Sequence, residues 1–187
     1  MKKHSAQIRI ILAMTALLFA APAFAQNPTA TGVINATLTN KNGIALVFDS
    51  DPSGVTLGAA GTSAATLNFG TISAFGPLAP GVTRPSVTAT NYIVRTVFDI
   101  QVIQGGLNST TYTLSAQLAS ALPAGFSFKV DGVTLVNGPS NIQTNAAYNV
   151  DVPHNLDLTV STAAPGAGGP AVGTPQSTVI NFQASPN

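Results

Sequence analysis

The sequence STVINFQA, residues Ser177 to Ala184, determines how the rest of the chain is interpreted. Its apolar residues recur at every second position, so that Val179, Asn181 and Gln183 alternate with Ile180, Phe182 and Ala184. A period of two is typical of a β-strand with one buried face. The chain ends at Asn187, so we expect no later segment to cover the edge of this last strand. A β protein must pair, blunt or use such an edge.

The same alternation recurs upstream, between Gly, Pro, Asn and Asp residues that suit turns. Its longest instance, Ser86 to Gln104, predicts one bent strand or two, with a shared face made of Val94, Thr96, Phe98, Ile100 and Val102. Asp131-Gly132, which follows Phe126, Phe128 and Val130, is the strongest hairpin signal. Further strands are predicted at Ile44 to Phe48, Ala65 to Ile72, Thr110 to Ala119, Asn141 to Val152 and Asn155 to Ser161.

Helix-type spacing of apolar residues is missing after residue 25, so the predicted fold is all-β. Short strands about ten residues apart favour a two-sheet antiparallel β-sandwich of about nine or ten strands. A closed barrel is the alternative, because it satisfies the same pattern.

The first 25 residues have the organisation of a secretory signal peptide. Lys2, Lys3 and Arg9 precede an apolar run, and Ala23-Phe24-Ala25 matches a cleavage site. We therefore expect residues 1–25 to be removed and residues 26–187 to form a single β-sandwich domain. The mature protein is expected in the periplasm, on the cell surface or outside the cell, with no membrane association after cleavage.

Charged residues are rare in this chain, which has seven Lys and Arg, six Asp and no Glu. Cleavage after Ala25 removes three basic residues and leaves four against six acids, a net charge of −2. No basic cluster remains, so nucleic acid is not expected as a partner. Cysteine is absent, which excludes disulfide bonds and Cys-ligated zinc. The neutral polar residues that remain favour a surface that packs against neighbouring molecules.

His154 is the one histidine after the predicted cleavage site. It lies in DVPHNLD, residues 151–157, where Pro and Asn suggest a turn. A general base requires a nucleophile and an orienting partner, and no G-x-S-x-G motif is present. We therefore interpret His154 as a turn residue that caps backbone groups, and we predict no catalytic residue, no cofactor and no enzymatic activity.

Asp49, Asp51 and Ser53, in DSDPSG, match the first half of a calcium-binding loop. The chelating carboxylate expected at the twelfth position is missing, because Ala60 stands there. Asp and Ser side chains that fold back on a turn explain the same residues. No metal site is predicted, and these three residues are only a weak calcium candidate.

Two segments resemble the spore coat protein U-type and related chaperone–usher secreted domains of bacteria. Leu67 to Ile72, LNFGTI, is similar to an L-x-F-G-x-Y/V segment of that group, and Thr178 to Asn187 is similar to its closing strand. Phe98 to Val102 and Tyr112 to Leu114 fit the middle of such a domain. The resemblance covers most of the chain after residue 25.

The resemblance implies an incomplete immunoglobulin-like fold, whose groove is filled by the N-terminal extension of a neighbouring subunit. The donor strand here would be Thr29 to Leu38, with the alternating positions Gly32, Ile34, Ala36 and Leu38. The accepting strand would contribute Ile180, Phe182 and Ala184, and Gly173 matches a glycine offset of pilin C-termini. The implied partners are further copies or related surface subunits, and a periplasmic chaperone is a further candidate.

The function predicted from the sequence is therefore that of a secreted structural subunit of a bacterial surface appendage or coat, which assembles by β-strand addition. The alternative is a self-contained secreted β-sandwich that binds a ligand or carbohydrate, or adheres, through its loops.

Overall fold

Nine β-strands make up the regular secondary structure of the residues that the structure describes, which are 43–163, 173 and 175–187. This computed structural model places them all in one unit, Asn40–Asn187. The prediction of an all-β chain is confirmed for the described residues, and the predicted signal peptide lies outside them. In chain order the strands are β1 (Gly43–Asp49), β2 (Thr83–Val87), β3 (Asn91–Gly105), β4 (Thr111–Leu118), β5 (Phe126–Val130), β6 (Val133–Thr134), β7 (Ser140–Ala147), β8 (Asp151–Ser161) and β9 (Ile180–Pro186).

The strands form two antiparallel sheets. The larger has the order β1-β3-β8-β5-β6, and β2 pairs with β3 next to β1. The smaller has the order β7-β4-β9, so β9 is one of its edges. No described strand pairs with both sheets, which agrees with a sandwich and not with a closed barrel.

The alternating residues of the central strands meet between the two sheets. Every second residue of β3 from Val94 to Val102 is at most 4% exposed, and the same holds for β4 from Tyr112 to Leu118. Side chains of both strands belong to one apolar cluster, so the sheets pack face to face. The inward faces predicted for these two strands are confirmed.

The long connection between β1 and β2 covers the part of the larger sheet that the smaller sheet leaves open. Val55 and Val82 of this connection form a second buried cluster with Val94 and Leu158 of the larger sheet. The predicted strand at Ala65 to Ile72 is wrong, although Leu67 and Phe69 do pack against the core. The Asn68 side chain accepts a hydrogen bond from the Gly70 amide, and Gly70 adopts a φ of 67°, which breaks an extended strand.

This connection approaches β3 most closely at Gly54. A Cβ atom there would lie 1.8 Å from the carbonyl oxygen of Val97, so no other residue fits without movement of the backbone. Val97 lies in a gap on the edge of β3, because β2 pairs as far as Arg95 and β1 begins to pair at Asp99. The Thr96 hydroxyl holds the segment in place, since it accepts a hydrogen bond from the amide of Val55 at 2.9 Å.

The hairpin predicted at Asp131-Gly132 joins β5 to β6. Asp131 and Gly132 have φ values of 48° and 82°, and positive φ at both central residues is the geometry of a type I′ turn. This turn places the Asp131 carboxylate beside β8, where it contacts His154.

Candidate functional site: an open flank of the sandwich

One side of the sandwich is bounded by an edge strand from each sheet, β1 and β9. We call this side the open flank and define it by the inward side chains of these strands, Ile44, Leu46, Phe48, Ile180, Phe182 and Ala184. The two strands meet at its base, where the rings of Phe48 and Phe182 lie edge to face with centroids 5.4 Å apart. The Phe182 ring also contacts Phe98 of β3, at 5.8 Å.

The side chains of the open flank are less buried than those of the adjacent strands. All six are only partly buried and pack on the core from its margin. Their neighbours Ile100 and Val102 on β3, and Tyr112 and Leu114 on β4, are 0% exposed. Apolar residues in strand register that keep contact with solvent indicate a face of the core that another segment can cover.

The backbone of β9 has hydrogen-bonding groups directed into this flank. The carbonyl of Val179 accepts from the amide of Ala119, and the amide of Asn187 donates to the carbonyl of Thr111. The register between β4 and β9 has no shift between these two bonds, so odd-numbered residues of β9 bond to β4. The amide and carbonyl groups of Ile180, Phe182 and Ala184 therefore point away from β4, toward the open flank.

The edge of β1 is partly capped. Phe48 donates its amide to the carbonyl of Thr62 and accepts from the amide of Gly61, at 2.9 and 2.8 Å. By the same alternation, the backbone groups of Ile44 and Leu46 face outward without such a cap among the described residues. The accessible edge of β1 is thus confined to its first half. On β9 it ends at Pro186, whose ring nitrogen cannot donate a hydrogen bond.

The opposite side of the sandwich is closed by the chain itself. The segment after β6 crosses from the larger to the smaller sheet, and the carbonyl of Val136 accepts from the amide of Leu118 at 2.9 Å. Leu135 on this crossing is buried to 3% exposure. The two sides therefore differ in the described residues, and only the flank between β1 and β9 has edges of both sheets without a covering segment.

The residues predicted to take part in assembly fall into two groups. Ile180, Phe182 and Ala184 lie on the inward face of β9, at the open flank. Gly173 is exposed and has a φ of 74°, in the left-handed region that favours glycine. The positions predicted on the donor strand lie outside the described residues, and they are Gly32, Ile34, Ala36 and Leu38.

Sequence reasoning missed the contribution of β1 to this site. Ile44, Leu46 and Phe48 were expected only as part of a short strand, and they supply half of the open flank. Ala45 and Val47 between them are also apolar, so the sequence does not indicate which face of β1 is inward. What the sequence does not display is that β1 and β9, far apart in the chain, become neighbouring edges.

The weak calcium candidate has a local explanation in the structure. The carboxylate of Asp51 accepts hydrogen bonds from the amide and the hydroxyl of Ser53, and these bonds hold its pKa below the usual value. Asp49 ends β1, opposite Asp99. The pKa of Asp99 is raised, first by burial and then by nearby carboxylates that include Asp51. Among the described residues, no group of three or more His, Cys, Asp or Glu is arranged to hold a metal ion.

His154 is not a turn residue, which corrects the interpretation of its sequence context. It lies within β8, directly opposite Phe98 of β3, and is 1% exposed. Its Nδ1 lies 2.6 Å from a carboxylate oxygen of Asp131, whose other oxygen accepts from the amide of Asn155. Burial opposes ionisation of Asp131, but the hydrogen bonds from His154 and Asn155 outweigh it, so its pKa lies below the usual value. The pair joins the β5–β6 turn to β8.

Pro153 explains why this stretch was mistaken for a turn. The carbonyl of Asn155 accepts from the amide of Asp131, and the amide of Asn155 donates to the Asp131 carboxylate. Pro153, two residues earlier, therefore directs its nitrogen to that same side of β8. Pairing between β5 and β8 begins only at Leu156, so no strand there requires an amide from residue 153. A proline is therefore tolerated inside β8.

No model of a known protein family matches the chain, and no curated protein matches its sequence. Among the described residues there is also no helix long and apolar enough to span a membrane. The resemblance to spore coat U-type domains therefore stays a prediction.

Proposed function

We propose that this protein is a secreted structural subunit that assembles with further copies by β-strand addition at the open flank. The observation that carries the proposal is a combination of two features of β9. The backbone groups of Ile180, Phe182 and Ala184 point outward, and the inward side chains of the same residues are partly exposed. An added strand satisfies both at once, because its main chain bonds to the edge and its side chains cover the core.

The proposed occupant is the segment Thr29 to Leu38 of a second copy. It alternates Gly32, Ile34, Ala36 and Leu38 with mostly polar residues, which is the pattern that a strand covering one apolar face requires. This segment precedes β1 in the sequence of the same chain, so every copy has one donor segment and one acceptor flank. Such a head-to-tail contact is heterologous, and repetition of it produces a filament. The proposal includes an immunoglobulin-like strand order that the added strand completes.

The gain expected from strand addition is moderate for each residue. Covering a partly exposed aliphatic or aromatic side chain contributes about 1 kcal/mol, and each new main-chain hydrogen bond contributes about 0.5–1.5 kcal/mol. Several such contributions must exceed the cost of association, which is at least about 4 kcal/mol. The open flank offers six side chains and three outward-facing residues on β9 for these contributions.

Ala184→Pro tests the proposal by removing one backbone N–H donor from β9. The Ala184 amide points into the flank, so its loss leaves the ladder to β4 intact and removes a donor that only an added strand uses. We expect Ala184→Pro in residues 26–187 to change the free energy of unfolding by less than about 1 kcal/mol and to shift oligomers toward monomer, because an added strand loses one hydrogen-bond donor and meets the proline ring. Size-exclusion chromatography with chemical cross-linking measures the oligomers. Ala184→Ser, which keeps the amide, is the matched control and should assemble like the unsubstituted protein.

Two results contradict the proposal. One is an unsubstituted mature protein that remains monomeric, with no change in folding or self-association when residues 26–38 are deleted. The other is assembly of Ala184→Pro to the same extent as the control. A monomer that loses stability when residues 26–38 are removed would show that the segment completes its own sandwich, and the self-contained binding domain would then be the better function.

A further inference from the structure

The smaller sheet contains no charged side chain. The sequences of β4, β7 and β9 include no Asp, Glu, Lys or Arg. All described charged side chains lie on the larger sheet or on loops attached to it, among them the bidentate pair of Arg95 and Asp157. The outer face of the smaller sheet is therefore a neutral surface of amides and hydroxyls.

One half of this outer face is satisfied internally. The Asn187 side chain accepts from the hydroxyl of Thr113 at 2.8 Å and donates to Thr111 and Asn145 at 3.1 and 3.2 Å. These bonds join β4 and β7 to the end of β9. Their side chains have little capacity left for a ligand.

The other half has unused hydrogen-bonding capacity. A depression of about 340 Å³ lies between β4 and β9, and it is lined by Ser115, Ala116, Gln117, Pro139, Asn181, Phe182 and Gln183. The three amide groups have no hydrogen-bond partner among the described residues, and each offers two donor hydrogens and an acceptor oxygen. The register places Gln117 opposite Asn181, so the three amides lie on two neighbouring strands, whereas the Ser115 hydroxyl donates to the carbonyl of Gln183 at 3.4 Å.

We propose that this depression binds a neutral polysaccharide. Sugar hydroxyl groups both donate and accept hydrogen bonds, and amides match them without the desolvation of a charge. The volume lies in the range of small-ligand sites, and its open shape across two strands suits an extended chain rather than a compact molecule. An anionic polymer has no cationic partner here, because the three strands of this sheet carry no Lys or Arg.

The amides proposed to bind the polysaccharide differ from the groups that strand addition uses. A strand added to β9 bonds to the backbone of the even-numbered residues, whereas Asn181 and Gln183 are odd-numbered and direct their side chains to the outer face. Phe182 lines the depression and also lies on the open flank, so the test substitutes Gln117 and Asn181 only.

The test is binding of residues 26–187 to an immobilised array of neutral glucans, mannans, galactans and chitooligosaccharides, beside sulfated and uronic-acid oligosaccharides. We expect binding to neutral members only. Gln117→Ala and Asn181→Ala should each weaken it about tenfold, and the double variant should abolish it. Gln101→Ala and Thr159→Ala, on the outer face of the larger sheet, are matched controls and should bind like the unsubstituted protein.

The result is interpreted only for variants whose thermal unfolding midpoint matches that of the unsubstituted protein; all four positions are polar and outward, so we expect each to pass. Three results overturn the proposal. The protein binds no neutral member of the array, or it binds the anionic members alone, or the double variant binds as well as the controls. A decrease in self-association of the double variant, with no glycan bound, would assign the face to contacts between copies instead.

Discussion

Phe98→Ala and Phe182→Ala provide the sharpest measure of whether the flank is open. The two rings contact each other, and both also contact Phe48, so the substitutions remove the same group from the same cluster. They differ in solvent access. Phe98, on central strand β3, is 4% exposed, whereas Phe182, on edge strand β9, is only partly buried.

This difference sets the expected magnitudes. Loss of a buried Phe side chain costs about 3–5 kcal/mol, because transfer free energy is lost and a cavity remains. We expect Phe98→Ala to fall in that range. Phe182 keeps part of its surface in water, and the space it leaves opens to solvent, so we expect its substitution to cost about 1–2 kcal/mol. The difference between the two losses in free energy of unfolding, about 2 kcal/mol, measures how far the Phe182 side chain on β9 is left uncovered.

Urea unfolding of a chain without residues 26–38 provides the assay, since no donor segment is then present. Addition of a synthetic peptide with the sequence of residues 29–39 should raise the midpoint of the unsubstituted chain. It should raise the midpoint of Phe98→Ala by a similar amount and that of Phe182→Ala by less, because part of the peptide's contact surface is gone. Equal costs for the two substitutions without peptide would refute the reasoning, because they would mean that Phe182 is already sealed.

Two further predictions concern the scaffold. Gly54→Ala should lower the free energy of unfolding by about 3 kcal/mol or more, since a methyl group would overlap the Val97 carbonyl. Gly138→Ala is the control, because a Cβ there meets nothing within 4 Å, and it should change the free energy of unfolding by less than about 1 kcal/mol. Urea titration measures both. Asp131→Asn, which retains a turn-forming side chain, should cost about 1–2 kcal/mol at pH 6. The pKa of Asp131 is lowered in the folded protein, so its contribution is present above the unfolded pKa of about 4 and is lost as the pH falls through the lower folded pKa. The difference in stability between the two proteins should therefore shrink as the pH falls below about 4. A difference that stays constant throughout the acid range would contradict the assignment.

The inward faces of the central strands could be predicted from the sequence because burial on one side imposes a period of two. Val94 to Val102 and Tyr112 to Leu118 show that period without interruption, and both strands have partners on each edge. The Asp131-Gly132 turn was equally predictable, since few residues other than Asp, Asn and Gly adopt positive φ at two successive positions. In these elements local preference and tertiary packing agree.

The segment from Ala65 to Ile72 shows where local pattern is insufficient. Leu67 and Phe69 alternate as in a strand, and both do reach the core, but they lie outside the strands of both sheets. Burial of apolar side chains alone does not require an extended backbone. In the structure the Asn68 side chain bonds to the Gly70 amide and Gly70 has a positive φ, and this turn interrupts the extended chain. The stretch around His154 shows the reverse case. Pro153 would normally indicate the end of a strand, but it lies inside β8 at a position where no neighbouring strand needs an amide donor.

The geometry of β9 assigns different tasks to alternate residues. An even-numbered residue has its side chain on the core and its backbone groups toward the flank, whereas an odd-numbered residue has its side chain on the outer face and its backbone groups toward β4. Proline at Ala184 therefore affects added strands alone, while proline at Gln183 would break the bond to β4 and unfold the edge. Alanine at Asn181 changes only the outer face. A single seven-residue strand thus allows folding, assembly and ligand binding to be separated experimentally, and any substitution that impairs all three at once would show that the alternation does not hold along β9.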